Sequence, residues 1–208
     1  MPADERAPSP LQRRLVLASA SPRRRELFAR LGLPFELRAA QVDETPQPGE
    51  TAEAFVRRLS REKALAVAAQ ETPGPIILAA DTAVVLDGAI LGKPADADEA
   101  AAMLRRLRGR THTVLTAITL PDTATGTLIT DLVTTSVTMR DYTDAEIAAY
   151  VASGDPLDKA GAYAIQHPDF HPVATIEGSY TNVVGLPLDQ VVAALERLGI
   201  LAAQQPCG

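Results

Sequence analysis

Ser19 and Ser21 precede three consecutive arginines, Arg23 to Arg25, and this order of side chains could bind a phosphate anion. A hydroxyl-rich turn that opens a helix presents free backbone N–H groups, and the helix dipole favours a negative charge there. Consecutive helical residues point about 100° apart, so at most two of the arginines can face one ligand. The segment predicts an anion site. A solvated arginine run on a surface helix is the alternative.

Lysine is rare in this chain, and its positions are informative. Of 20 basic residues only Lys63, Lys93 and Lys159 are lysines, which leaves 20 − 3 = 17 arginines. On a helical wheel of about 100° per residue, Lys63 falls between Leu59 and Val56 on the apolar face. A buried ammonium group needs an anionic partner. We therefore predict that Lys63 lines a cleft, the alternative being a lysine that snorkels from the edge of the stripe.

Asp81 follows an apolar run, and Asp87-Gly88 is typical of a two-residue hairpin turn. The pairing across such a turn places Thr82 opposite Lys93, so that Asp81 and Lys93 become near neighbours. The carboxylate could hold Mg²⁺ or take a proton from water, while the ammonium neutralises a phosphate. A structural ion pair is the alternative, and a one-residue bulge would change the pairing.

The elements that must position these residues follow from hydrophobic periodicity and from capping signals. The predicted strands are 15–18, 34–39, 74–86 (interrupted at 81–82), 112–120, 127–139, 161–165 and 173–177. The predicted helices are 22–31, 51–70, 96–107, 143–154 and 187–198. Hairpins mixed with interspersed helices favour a mixed α/β or α+β fold over strict βαβ winding.

Composition limits the class of protein. The chain has 208 residues, a formal charge of −6, 46% hydrophobic residues and 22% charged residues, which is typical of a folded globular protein. Its one cysteine, Cys207, cannot form an internal disulfide, and no uncharged apolar run approaches the length of a membrane span, so we expect a cytoplasmic protein. The acidic balance argues against a nucleic-acid or membrane partner. The proline-containing residues 1–13 are predicted to be a flexible tail.

Seven blocks of the chain resemble, in order and spacing, the Maf family of nucleoside triphosphate pyrophosphatases. They are LASASPRRRELFARLG (17–32), VDE (42–44), EKA (62–64), AADTAVVLDGAILGKP (79–94), GRTHTVLTAITL (109–120), SGDPLDKAGAYAIQ (153–166) and IEGSYTNVVGLPL (176–188). The resemblance implies hydrolysis of the α–β phosphate bond of a nucleoside triphosphate with a divalent cation, Mg²⁺ or Mn²⁺. It also implies an elongated mixed sheet flanked by helices, with two lobes around a central cleft, as in inosine triphosphate pyrophosphatase. The expected organisation is a single catalytic domain over 14–202, a C-terminal tail over 203–208, and a homodimer.

The resemblance also suggests roles for individual residues. Asp81 matches the family's proton acceptor, and the other matched cleft residues are Ser19, Arg23, Arg24, Glu44, Lys63 and Lys93. The implied mechanism uses the basic residues to hold the triphosphate, with Glu44 and Asp81 binding the metal and activating water. Arg23, Thr82 and Gln166 match the positions of the family that are linked to the choice of substrate.

The stretch DKAGAYAIQ resembles the branch of the family that acts on dTTP and UTP, whereas a sister branch that acts on 7-methyl-GTP carries a different stretch. The family usually has Gly after Gln166, but here His167 to His171 follow. The spacing of the two histidines would suit a metal, but we expect a surface loop there, and a structural role for His112. Two functions remain as alternatives: a 7-methyl-GTP pyrophosphatase and a non-catalytic, nucleotide-binding regulator of cell division.

Overall fold

The computed structural model describes residues 13–201. Both predicted tails therefore lie outside the described residues, except Arg13, which forms an ion pair with Asp122. Within the described residues a mixed sheet is formed by β1 (Leu15–Ala18), β2 (Glu36–Arg38), β3 (Ile76–Leu86), β4 (Ala89–Leu91), β5 (Thr111–Pro121), β6 (Leu128–Met139) and β7 (Val173–Glu177). The helices are α1 (Pro22–Ala29), α2 (Ala52–Ala68), α3 (Ala97–Leu107), α4 (Asp144–Ala152), α5 (Tyr180–Val184) and α6 (Leu188–Arg197). Two 3-10 helices cover Asp155–Asp158 and Ala160–Ala162.

The strand order β2-β1-β3-β5-β6-β7, with β4 attached to β3, confirms the predicted mixed fold. β1 pairs with β2 and β3 in parallel, and the remaining pairs are antiparallel. Short hairpin loops explain the antiparallel half, because β3–β4 and β5–β6 follow each other directly in the chain.

Two apolar clusters lie at opposite ends of the long central strands. One joins α1 and α6 to β1 and to the first half of β3, and we call it the α1 lobe. The other joins α3, α4 and the 3-10 helices to β4 and to the second half of β3, and we call it the α3 lobe. α2 crosses the face of the sheet between them and packs on β3 and β5. The predicted two-lobed architecture is thus built around β3.

The edge of β3 is open between these lobes. β5 pairs with β3 from Ala79 to Val85 on one side. On the other side, β1 pairs only with 76–78 and β4 only with 84–86. Among the described residues, 79–83 therefore have no strand neighbour on that side. The chain continues through Asp81 and Thr82 as regular strand, so the predicted interruption there is wrong.

The hairpin after β3 forms as predicted, but it is shorter than expected. Asp87 and Gly88 have φ values of 52° and 77°, which a type I′ turn requires, and Leu86 pairs with Ala89. β4 then ends at Leu91, so the predicted pair of Thr82 with Lys93 is wrong. The following Gly-Lys-Pro sequence explains the ending, because proline lacks the N–H that would extend the ladder. Thr82 pairs instead with Thr116 of β5.

Two other elements differ from prediction. The predicted strand 161–165 is a 3-10 helix and an irregular segment, because Gly161 and Ala162 have φ values of 70° and 60°, outside the strand region. A Cβ on Gly161 would lie 3.0 Å from Val84, so the close approach to β3 requires glycine. The short helix α5 was not predicted, although Ser179 caps its start and Gly185, with φ 117°, ends it.

Within residues 13–201 no helix has both the length and the apolar character needed to cross a bilayer.

Candidate active site

A cleft of about 600 Å³ opens at the unpaired edge of β3, between the two lobes. That volume lies within the range of small-molecule sites. All nine residues predicted to form the site line it, namely Ser19, Arg23, Arg24, Glu44, Lys63, Asp81, Thr82, Lys93 and Gln166. So does Lys159, which means that every lysine of the sequence lies on the cleft wall.

Lys63 joins two carboxylates at the centre of the cleft. Its Nζ donates to Oδ1 of Asp81 at 2.6 Å and lies 2.7 Å from Oε1 of Glu44. The position on the apolar face of α2 explains this geometry, because α2 packs on β3 and carries Lys63 against Asp81. Lys63 and Asp81 are 9% and 6% exposed, whereas the Glu44 side chain is 54% exposed. The buried ammonium of Lys63 therefore has two anionic partners, as the sequence predicted that it would need at least one.

Burial and charge act differently on the two acids. Burial raises the pKa of Asp81 above its ordinary value, although Lys63 and Arg24 oppose this effect. For Glu44, burial alone would also raise the pKa, but the hydrogen bond and charge of Lys63, with Lys93 and Arg24, lower it. Asp81 is thus the more basic of the two carboxylates, and Glu44 is the more acidic one.

The start of α1 brings two arginines into the cleft, as the helical rotation predicts. Arg23 and Arg24 line it, and Arg25 does not. The side chain of Ser21 accepts the N–H of Arg24 and caps the helix, and Ser19 Oγ accepts the N–H of Ser21 at 3.2 Å. The turn therefore holds the hydroxyls of Ser19 and Ser21 in place, and the start of α1 directs the two arginines into the cleft.

Arg24 is held by neutral groups. Its Nε donates to the carbonyl oxygen of Gly185 at 2.8 Å, and its Nη2 donates to Oγ1 of Thr82 at 3.0 Å. Among the described residues no carboxylate forms an ion pair with Arg24. Burial lowers the pKa of Arg24, but an arginine side chain stays protonated in proteins. A guanidinium fixed by neutral acceptors keeps its charge available for a ligand.

Arg23 spans the cleft to the α3 lobe. Its Nη1 lies 3.3 Å from Oδ2 of Asp158, and Oδ1 of the same carboxylate accepts from Lys159 at 2.6 Å. Lys159 also donates to Asp155 at 2.8 Å. Asp158 and Lys159 were not among the predicted site residues. The rarity of lysine was the available signal, since the two other lysines were both predicted to be in the site.

Lys93 and Asp81 share the cleft without touching. Lys93 is exposed, and among residues 13–201 no ion pair links it to Asp81. Asp81 therefore contacts Lys63 of α2 and not Lys93, the neighbour that the hairpin pairing predicted. Lys93 acts instead on Glu44, whose pKa it lowers. Gln166 also lines the cleft and is exposed, and its amide has no hydrogen-bond partner among the described residues.

His167 and His112 both make contacts with other protein groups. His167 Nδ1 accepts the backbone N–H groups of Asp169 and Phe170, at 3.2 and 2.9 Å, and so closes the loop on itself. His112 is buried on β5, where its Nε2 lies 2.8 Å from the hydroxyl of Tyr163, and burial lowers its pKa to about 4. The part of the chain that the structure describes holds no group of three or more His, Cys, Asp or Glu suited to a metal.

Glu44 and Asp81 nevertheless fit a magnesium-type cation. Their oxygens converge on one nitrogen within 2.7 Å, which shows that both can reach a common point. Mg²⁺ is usually bound by one or two carboxylates and completed by waters and substrate phosphates, not by an all-protein cage. The two carboxylates therefore match what a protein usually contributes to such a site.

Comparison with known proteins agrees with this geometry. A family model described as Maf-like protein matches residues 14–198. A protein of Myxococcus xanthus named dTTP/UTP pyrophosphatase is 56% identical over 186 residues, 89% of this chain and 93% of that one. A protein of Escherichia coli O157:H7 with the same name is 50% identical over 187 residues, 90% of this chain and 94% of that one.

A solved structure from Coxiella burnetii, described as a HAM1 protein, is 17% identical with a TM-score of 0.49 and covers 89% of this chain and 100% of its own. The family match spans nearly all of the described residues, and the relatives match over about nine tenths of the chain. The matched region contains the cleft and the seven blocks on which the resemblance was based. This chain belongs to the Maf-like protein family.

Proposed function

We propose that this protein is a nucleoside triphosphate pyrophosphatase that hydrolyses the α–β phosphate bond of dTTP and UTP to the monophosphate and pyrophosphate. The relatives of 56% and 50% identity carry that name. The observation that carries the proposal is the charge of the cleft. Arg23, Arg24, Lys63 and Lys93 face Glu44 and Asp81, so the six sum to 4 − 2 = +2 in a chain of −6.

The basic residues have distinct roles in this proposal. Arg24 and Lys93, which have no carboxylate within ion-pair distance among the described residues, bind the phosphate oxygens directly. Arg23 gives up its contact with Asp158 and binds the substrate, so that one anionic partner replaces another. The N–H groups at the start of α1, next to Ser19, add neutral donors. Fixed positive groups stabilise the charge that grows on the leaving pyrophosphate.

Asp81 is the proposed general base. Its raised pKa strengthens it as a proton acceptor, while Lys63 holds it in place and keeps it ionised. A water oxygen forms a bond to the α-phosphorus as its proton passes to Asp81. The bond from the α-phosphorus to the bridging oxygen breaks, and that oxygen leaves with pyrophosphate. The nucleoside monophosphate remains.

A divalent cation, Mg²⁺ or Mn²⁺, held by Glu44 and Asp81 would lower the pKa of a nearby water and neutralise phosphate charge. Glu44 suits this task because its pKa is lowered, so it remains an anionic ligand even in mildly acidic solution. Lys63 contacts both acids and would set their separation.

Three cleft residues determine the base preference in this proposal. Gln166 offers both an amide donor and an acceptor to a pyrimidine edge, and Thr82 and Arg23 complete the proposed specificity group. We further propose a cytoplasmic homodimer without a nucleic-acid or membrane partner. The alternatives are a 7-methyl-GTP pyrophosphatase and a non-catalytic regulator of cell division. The complete set of charged cleft residues argues against the non-catalytic one.

Pyrophosphate release from a panel of nucleotides, with Mg²⁺ or Mn²⁺, tests the proposal. We expect the highest kcat/KM with dTTP and UTP. A higher value with 7-methyl-GTP would assign the sister activity, and no release from any nucleotide would favour the regulator. An inactive Asp81→Asn variant serves as the control for contaminating hydrolases.

A further inference from the structure

A chain of hydrogen bonds runs from the cleft into the protein interior. Arg24 Nη2 lies 3.0 Å from Oγ1 of Thr82, which lies 2.9 Å from Oγ1 of Thr116. Thr116 Oγ1 lies in turn 3.1 Å from the carbonyl oxygen of Asn182 in α5. Thr82 lines the cleft, whereas Thr116 and Asn182 are fully buried behind it.

The two ends of this chain fix the direction of every bond. A guanidinium can only donate, and a carbonyl oxygen can only accept. Thr116 must therefore give its proton to Asn182, and so it accepts the proton of Thr82. Thr82 also accepts from Arg24. Its single proton is thus used inside the protein, and one lone pair is all that remains for a ligand.

This lone pair restricts what Thr82 can bind. The triphosphate has no N–H group and few protons near neutral pH, so it cannot satisfy an acceptor. A uracil or thymine ring carries an N–H between two carbonyl groups, whereas the corresponding ring nitrogen of cytosine is itself an acceptor. With that ring nitrogen facing Thr82, cytosine would place two lone pairs against each other, whereas uracil or thymine would donate its ring N–H to the remaining lone pair.

We infer that Thr116 is a positioning residue for substrate choice: by taking the Thr82 proton it makes Thr82 an acceptor only, and the cleft then selects a base whose ring nitrogen between the C2 and C4 positions carries a proton. This inference rests on the proposed function. It assigns the discrimination between UTP and CTP to a residue that does not line the cleft.

Thr116→Val is the direct test, because valine keeps the shape and removes the hydroxyl. The Asn182 carbonyl still accepts the N–H of Gly185 at 3.0 Å, so no buried acceptor is orphaned. The Thr82 proton becomes free to turn into the cleft and to meet the cytosine nitrogen. We expect the ratio of kcat/KM for UTP over CTP to fall about tenfold, the size of one neutral hydrogen bond. Binding of the non-hydrolysable α,β-imido analogues of UTP and CTP should show the same fall.

Thr119→Val is the matched control. Thr119 lies on the same strand, is equally buried, and bonds to Ser60 and Thr130 outside the cleft lining. We expect it to keep the wild-type ratio, and Thr116→Ser, which restores the hydroxyl, to keep it also. If Thr116→Val does not fold, Thr116→Ala, which only removes atoms, is measured in the same way.

The outcomes separate the inference from the proposed function. An unchanged UTP-to-CTP ratio in folded Thr116→Val would overturn the inference while leaving the activity intact. A wild type without preference for UTP over CTP in either assay would also overturn it. A wild type that releases no pyrophosphate, but whose analogue binding loses its preference only in Thr116→Val, would overturn the proposed function and support the inference.

Discussion

The ammonium of Lys63 lies 2.6 Å from the carboxylate of Asp81, on an apolar helix face that packs against the middle of β3. An unpaired ammonium would be costly to bury, and Asp81 gives Lys63 an anionic partner. Burial in turn raises the pKa of Asp81. Each residue makes the burial of the other possible. The pair therefore supplies a fixed base in a partly dehydrated site.

Asp81→Asn should abolish turnover and leave nucleotide binding nearly unchanged. Asparagine keeps the shape and can still accept from Lys63, but it cannot take a proton from water. General base catalysis contributes roughly 100- to 10,000-fold, so kcat should fall by that order. Pyrophosphate release and calorimetric binding of a non-hydrolysable analogue measure the two effects. Asp131→Asn, an acid outside the cleft lining, should behave as wild type. Near-normal hydrolysis by Asp81→Asn would refute the assignment of the base.

Lys93→Ala should weaken both binding and turnover. Lys93 has no ion-pair partner among the described residues, so its charge is free for the phosphates. Losing one charged hydrogen bond should raise KM and lower kcat by about tenfold each. Steady-state kinetics with UTP measures both constants. Arg197→Ala removes a cation that pairs with Asp131 away from the cleft, and it should change neither. Kinetic constants equal to wild type would exclude Lys93 from substrate binding.

The acidic limb of the pH profile should report Asp81. Its pKa is raised by burial, so the ionised base is lost, as the pH falls, at a higher pH than for an ordinary aspartate. Lys63 lowers that pKa, so Lys63→Ala should move the limb of kcat/KM to still higher pH. Lys93→Ala should leave it in place, since Lys93 does not contact Asp81. A limb that moved to lower pH in Lys63→Ala would contradict the pairing.

His167→Ala should lower stability without changing the metal requirement. The imidazole accepts two backbone N–H groups, and their loss should cost about 1–2 kcal/mol in the free energy of unfolding. Urea denaturation measures this cost, and His171→Ala, whose ring makes no such contact among the described residues, is the control. Activity titrated with Mg²⁺ should be the same in all three proteins. A shift of the titration in His167→Ala would reopen the metal role.

Local signals were sufficient for much of this structure. Ser21, Thr51 and Thr143 each cap a helix at or next to its predicted first residue, because capping depends on residues three positions apart. The placement of Lys63 was predictable for a similar reason, since helical rotation fixes its face. The family resemblance then supplied the residues that had to meet it.

Non-local packing explains the errors. Pairing rules across the hairpin predicted Lys93 beside Asp81, but they could not show that β4 ends at Leu91 or that α2 would supply another lysine. Residues 161–165 have a strand-like composition, yet Gly161 must pack directly on Val84. The contact of Arg23 with Asp158 joins residues 135 positions apart, which no spacing rule connects.

The presence of every lysine in the lining of one cleft has a practical consequence. Lys63 and Lys159 are buried under carboxylates, whereas Lys93 is exposed at the mouth. Among the lysine side chains, an amine-reactive label used sparingly would therefore mark Lys93 first, and bound nucleotide would protect it. For the same reason, coupling to a solid support through lysine side chains would obstruct the cleft, so surface arginine or carboxylate chemistry is the suitable means of attachment.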